Sequence, residues 1–170
     1  MHIFSNKRLV LILAILFWFE ISILPFLSIR GIKPDLVFIF TAFYAFQIDW
    51  KRLIALVFVL GMVRDLLANS FFGLETASLI GGALFLQFFA DQFYRDERWI
   101  QALGLFSFSW FTLLLYSVFS WVVDHHALSE HILLSTFFIS VYTTAGGALL
   151  FPLFGKWFKR SLNVKQFELF

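Results

Sequence analysis

The chain has no cysteine, only three prolines and nine glycines, and few charges: Asp, Glu, Lys and Arg make up 14% of its 170 residues. Without cysteine there are no disulfides, no thiolate metal ligands and no thiol nucleophile. The formal charge of +2 is too small for nucleic-acid binding, which calls for a clustered basic surface. Long linkers, low-complexity tracts and clear internal repeats are missing too. So are catalytic signatures: there is no His-Glu-x-x-His, no Gly-x-Ser-x-Gly and no phosphate-binding loop. The sequence therefore gives no support for an enzyme and calls for no cofactor.

What the chain has instead is apolar surface. Hydrophobic residues make up 61%, with phenylalanine at 26 positions, against roughly 45–50% in soluble chains. Mean hydropathy is +0.86. A soluble domain of this size leaves too much area exposed to hide so much, so the expected solvent is lipid.

Charges punctuate the sequence into apolar runs. Residues 9–29 carry one charge, Glu20, and 36–48 carry none. Residues 53–63 are apolar up to Arg64-Asp65, and 76–90, 99–123 and 132–155 contain no Asp, Glu, Lys or Arg. A bilayer core about 30 Å thick needs about 20 helical residues. The first, fifth and sixth runs qualify directly, and the others only with their polar flanks. Pro34-Asp35 makes a helix start, with proline in the first turn. The expected fold is all-α: one integral membrane domain over 1–170 with six transmembrane helices near 9–29, 34–49, 53–69, 74–91, 99–123 and 132–155. The rival is a re-entrant hairpin over 53–90, which leaves four full spans.

Basic residues set the orientation. With a cytoplasmic N-terminus and six crossings, the inside holds Lys7, Arg8, Lys51, Arg52, Arg95, Arg98, Lys156, Lys159, Arg160 and Lys165. The outside holds only Arg30 and Lys33, and Arg64 lies in a helix. That is a strong positive-inside bias. Trp50, Trp99 and Trp157 fall beside the inner charges and Trp121 near an outer end, as an aromatic belt places them. Lys7-Arg8 and the apolar 9–19 resemble a signal peptide, but Glu20 and Pro25 follow without a small-x-small cleavage site. An uncleaved first helix is expected.

The third run carries the most informative chemistry. On a helix, Gly61, Arg64, Asp65 and Ala68 share one face. The ten Leu, Ile, Phe and Val residues between 53 and 68 return roughly 3–6 kcal/mol on insertion, against roughly 5–7 for two charges at full depth. Such a helix is marginal alone and is expected to turn that face toward protein. Charges inside membranes mark a function or a specific partner; the plainer alternative places Arg64 and Asp65 at the outer interface. Ion or proton transport is the third reading. Glu20, in the first helix, is the candidate counter-charge for Arg64.

Residues 69–73 are expected to form a tight outer turn, with Gly73 free to take positive φ. Ala77, Ser78, Gly81 and Gly82, and the small residues 143–148, permit close helix contact. Asp124, His125, His126, Glu130 and His131 cluster in a predicted outer loop; their spacing matches no metal-ligand motif, and a solvated loop has the same composition.

These motifs together resemble the rod-shape-determining MreD family. Lys33-Pro34-Asp35 is similar to that family's Arg-Pro-Asp or Arg-Pro-Asn element opening helix two. Gly61 and Asp65, followed by Leu66, Ser70 and Gly73-Leu74, resemble its central signature, and Trp99-Ile100-Gln101-Ala102-Leu103 its opening of helix five. A basic tail after Pro152 fits as well. Arg64 departs from the family, where that position is commonly apolar. The resemblance implies a non-enzymatic bacterial inner-membrane scaffold of the cell-elongation machinery. It would bind the bitopic protein MreC and through it influence MreB, RodA and a class B penicillin-binding protein. It also implies a fold like the six-helix substrate-binding subunits of energy-coupling-factor transporters. Asp35, Gly61, Arg64, Asp65, Gly73 and Glu20 are the candidate structural or partner-contacting residues. The alternative is a small-molecule-binding subunit of a membrane transporter, with Arg64, Asp65 and Glu20 as ligand groups.

Overall fold

The computed structural model describes residues 6–28, 31–68, 71–92, 98–124 and 130–166. They form a helical bundle of α1 (Asn6–Ser22), α2 (Leu36–Ala45), α3 (Trp50–Leu67), α4 (Leu74–Gln92), α5 (Arg98–Asp124) and α6 (Glu130–Gln166), with a short 3-10 helix, Leu24–Leu27, after α1. Among the described residues no β-strand occurs. The outer-loop residues His125 and His126 lie outside the described residues, as do Asn69 and Ser70 of the predicted turn.

The bundle is built around α2. Its sequence, LVFIFTAFYA, is apolar all round, and every residue from Val37 to Ala45 is buried. A helix without a polar face has to be covered on all sides, and α1, α3, α4, α5 and α6 all pack against it. Phe38 meets Phe108 of α5 edge-on at 5.5 Å, and Phe43 meets Phe151 and Phe154 of α6 at 5.9 and 5.3 Å. Around this axis, α3, α4, α5 and α6 each pack on the next in sequence.

Helix lengths depart from expectation in instructive ways. At 10 residues, α2 is about 15 Å long, shorter than the helix expected over 34–49 and about half of a bilayer core. Asp35 is its N-cap and Pro34 lies just before the helix rather than in its first turn. A turn over 46–49 separates α2 from α3. The first helix stops at Ser22, where the 3-10 helix with Pro25 in its first turn takes over; proline has no N–H to extend the α-helical ladder, though α6 accommodates Pro152 within its length. In contrast, α6 runs for 37 residues, carrying the expected basic tail as helix through to Gln166. Among the described residues, Trp99–Val123 of α5 and His131–Phe154 of α6 are long and apolar enough to cross a membrane. Their outward faces expose Trp110, Val118, Trp121, Leu134, Phe138 and Val141.

Small residues set the closest approaches. A Cβ at Gly61 would stand 2.6 Å from the Thr76 Cα, so α3 and α4 touch backbone to backbone there. Gly82 of α4 faces Thr112 of α5, and Gly147 of α6 faces Leu105 of α5.

Candidate functional site

Where α3 ends, α4 begins and α2 starts, the chain gathers its buried charges. The site is built from helix ends. The first N–H groups of a helix have no partner within it, and an anion there is also favoured by the helix dipole.

Asp65 fills this role for α4, from outside that helix. It is 3% exposed. Its Oδ1 accepts from the Glu75 N–H at 3.0 Å, and its Oδ2 accepts from the Thr76 N–H at 3.1 Å and the Thr76 hydroxyl at 2.5 Å. Three donors on one carboxylate lock the end of α3 to the first turn of α4. Gly73, at φ 99°, reverses the chain between them. Gly61, one turn before Asp65, provides the close approach that lets these bonds form.

Asp35 fills the same role for α2. Its Oδ1 accepts from the Phe38 N–H at 3.1 Å, and its own N–H donates to the Thr143 hydroxyl on α6 at 3.1 Å. Its Oδ2 accepts from Arg64 Nη1 at 2.6 Å. The Arg64 Nε stands 3.3 Å from Glu75 Oε2, and the guanidinium lies over the Phe38 ring at 5.2 Å. Arg64 therefore ties α2, α3 and α4 together, with its side chain only 18% exposed.

The expected pairing of Arg64 with Glu20 does not form; Asp35 and Glu75 take that place. The reason is proximity of helix ends: both replacements sit in or beside first turns that border the last turn of α3. Arg64 and Asp65 also divide the face they were expected to share. Adjacent helical residues point about 100° apart, so Asp65 addresses α4 while Arg64 addresses α2 and Glu75. Glu20 lines a cavity of about 360 Å³ that Arg64, Glu75 and Lys33 also border. Its Oε2 is shielded from solvent and has no hydrogen-bond donor.

Sequence reasoning missed Glu75, Thr76 and Thr143. For the first two a signal existed: Glu and Thr directly after the Gly73 turn are first-turn residues, where acceptors and acidic groups concentrate. For Thr143, 108 residues from Asp35, no local pattern points to the contact. Among the described residues no group of three or more His, Asp or Glu side chains is placed to hold a metal ion.

What the arrangement does chemically is hold helix ends. Each carboxylate oxygen of Asp35 and Asp65 already accepts from the chain's own donors. No protein-family model, no curated protein and no solved structure matches this chain.

Proposed function

We propose that the protein is a non-enzymatic scaffold of the bacterial inner membrane, of the MreD type, that binds an MreC-like bitopic protein in the cell-elongation machinery. In this reading it acts alongside MreB, RodA and a class B penicillin-binding protein in peptidoglycan synthesis and cell-shape control. One observation carries it: the charged stripe of α3 is consumed in bonds within the bundle, leaving an apolar exterior for lipid and partner helices. A polar network that is fully used in this way rigidifies a bundle.

Six crossings with both termini cytoplasmic remain compatible with a short α2. The chain at Pro34-Asp35 is buried inside the bundle, and the Asp35 N–H is bonded to Thr143. Irregular backbone at membrane depth is tolerated where protein covers it. The likeness to energy-coupling-factor substrate-binding subunits belongs to the same proposal. Reporter fusions on the two ends test the orientation: both on the cytoplasmic side is expected, and opposite sides overturn it.

The second reading, a small-molecule-binding transporter subunit, is favoured by the cavity beside Glu20, whose volume falls in the range of ligand sites. Detergent pull-down with mass spectrometry separates the two. Co-purification of a bitopic wall-elongation protein supports the scaffold. A transporter ATPase in its place, with no bitopic partner, overturns the scaffold.

A further inference from the structure

We propose that the cavity between α1, the last turn of α3 and the first turn of α4 binds the primary ammonium of a small zwitterion, held by Glu20, with the ligand's anionic end at Lys33. Three observations carry this. The volume of about 360 Å³ lies within the roughly 300–1,000 Å³ of small-ligand sites and is more than one inserted lysine side chain fills. The charges on the wall are unequally paired: the Arg64 guanidinium faces Asp35 and Glu75 at 2.6 and 3.3 Å, while Glu20, on the same wall, forms no ion pair among the described residues. A carboxylate on a cavity wall without an ion-pair partner calls for a group that brings both positive charge and N–H bonds. The walls are mixed, with Phe17 and Leu67 offering apolar surface and the exposed Lys33 offering a cation.

An ammonium next to an anionic group is the chemistry of an ethanolamine phospholipid headgroup and of a free amino acid or phosphoethanolamine. A choline headgroup has the charge but no N–H to donate, so the site discriminates between ethanolamine and choline. The inference concerns the cavity alone and is independent of the scaffold reading: it stands or falls whether or not a bitopic protein co-purifies.

The test uses the full chain in choline-phospholipid nanodiscs, with ligand retention read by native mass spectrometry. In one arm phosphatidylethanolamine is added to the bilayer; in the other, soluble phosphoethanolamine or glycine. Retention at least ten-fold above the choline counterpart in the first arm assigns a lipid, and in the second a free zwitterion. Glu20→Gln, with helix content unchanged, is expected to weaken retention at least ten-fold. Lys33→Ala, at an exposed rim position, is expected to weaken it about three-fold and serves if Glu20→Gln does not fold. Equal retention of ethanolamine and choline compounds, no retention in either arm, or undiminished retention in the variants that fold overturns the proposal.

Discussion

Arg64 Nη1 donates to Asp35 Oδ2 across 2.6 Å, while the other oxygen of the same carboxylate accepts from the Phe38 N–H at 3.1 Å. One side chain thus caps α2 and holds α3, and the guanidinium continues the link to Glu75 on α4. Removing the cation leaves two carboxylates facing each other's charge with little water to screen it. Arg64→Leu is expected to destabilise the bundle by roughly 3 kcal/mol. That is the low end for breaking a buried pair, because the arginine side chain is 18% exposed. Reversible unfolding in mixed micelles measures this; a loss below about 0.5 kcal/mol would mean the pair behaves as an exposed one.

Exchanging the charges of Glu20 and Arg64 is expected not to restore the protein. The combination Glu20→Arg with Arg64→Glu sets a third carboxylate against Asp35 and Glu75, both of which contact Arg64 directly. Expression level and thermal stability of the double variant should match or fall below those of Arg64→Glu alone. Recovery toward the native chain would identify Glu20 as the working partner.

Asp65 is expected to matter more than any one of its donors. Thr76→Val removes one hydroxyl donor, a loss of about 1 kcal/mol, whereas Asp65→Leu orphans the buried Thr76 N–H, the part-buried Glu75 N–H and that hydroxyl, roughly 3 kcal/mol or more. Asp35→Ala should be milder than Asp65→Leu, since Arg64 keeps Glu75. Unfolding midpoints of the three variants check the order, and a Thr76→Val loss equal to that of Asp65→Leu would contradict it.

Two glycines are expected to fail for different reasons. At Gly61 a Cβ meets the Thr76 Cα at 2.6 Å, so Gly61→Ala must push α3 from α4, roughly 1–3 kcal/mol. Thr76→Ser does not relieve it, because the obstacle is backbone. At Gly73 a Cβ meets nothing within 4 Å, but φ is 99°, so Gly73→Ala is strained by about 1–2 kcal/mol while Gly73→Asn is milder. Relief of Gly61→Ala by Thr76→Ser would contradict the packing explanation.

Two helices were legible to within a residue or two, 99–123 as Arg98–Asp124 and 74–91 as Leu74–Gln92, whereas 9–29 ends early at Ser22 and 132–155 runs on to Gln166. Their helical identity follows from local composition alone. The length of α2 was not legible. Its 13-residue apolar run, 36–48, contains both helix and turn, and only burial by five neighbouring helices explains why so short an element is kept. The candidate site was legible as residues and not as bonds. Asp35, Gly61, Arg64, Asp65 and Gly73 all stand at the junction of helix ends. Their partners depend on which helix starts lie beside the end of α3, and on the rotation between consecutive residues of one helix. Glu20 was drawn to Arg64 by charge alone, a criterion that Asp35 and Glu75 satisfied with better geometry.

The intramolecular character of the α3 charges is tested most directly by a double-mutant cycle on Arg64→Met and Asp35→Asn in the full chain. Unfolding free energies would be measured in lipid for both single variants and the pair. A bonded pair should show a coupling of at least about 1 kcal/mol, whereas changes that add to within about 0.3–0.5 kcal/mol would mean that the two charges do not hold α2 and α3 together.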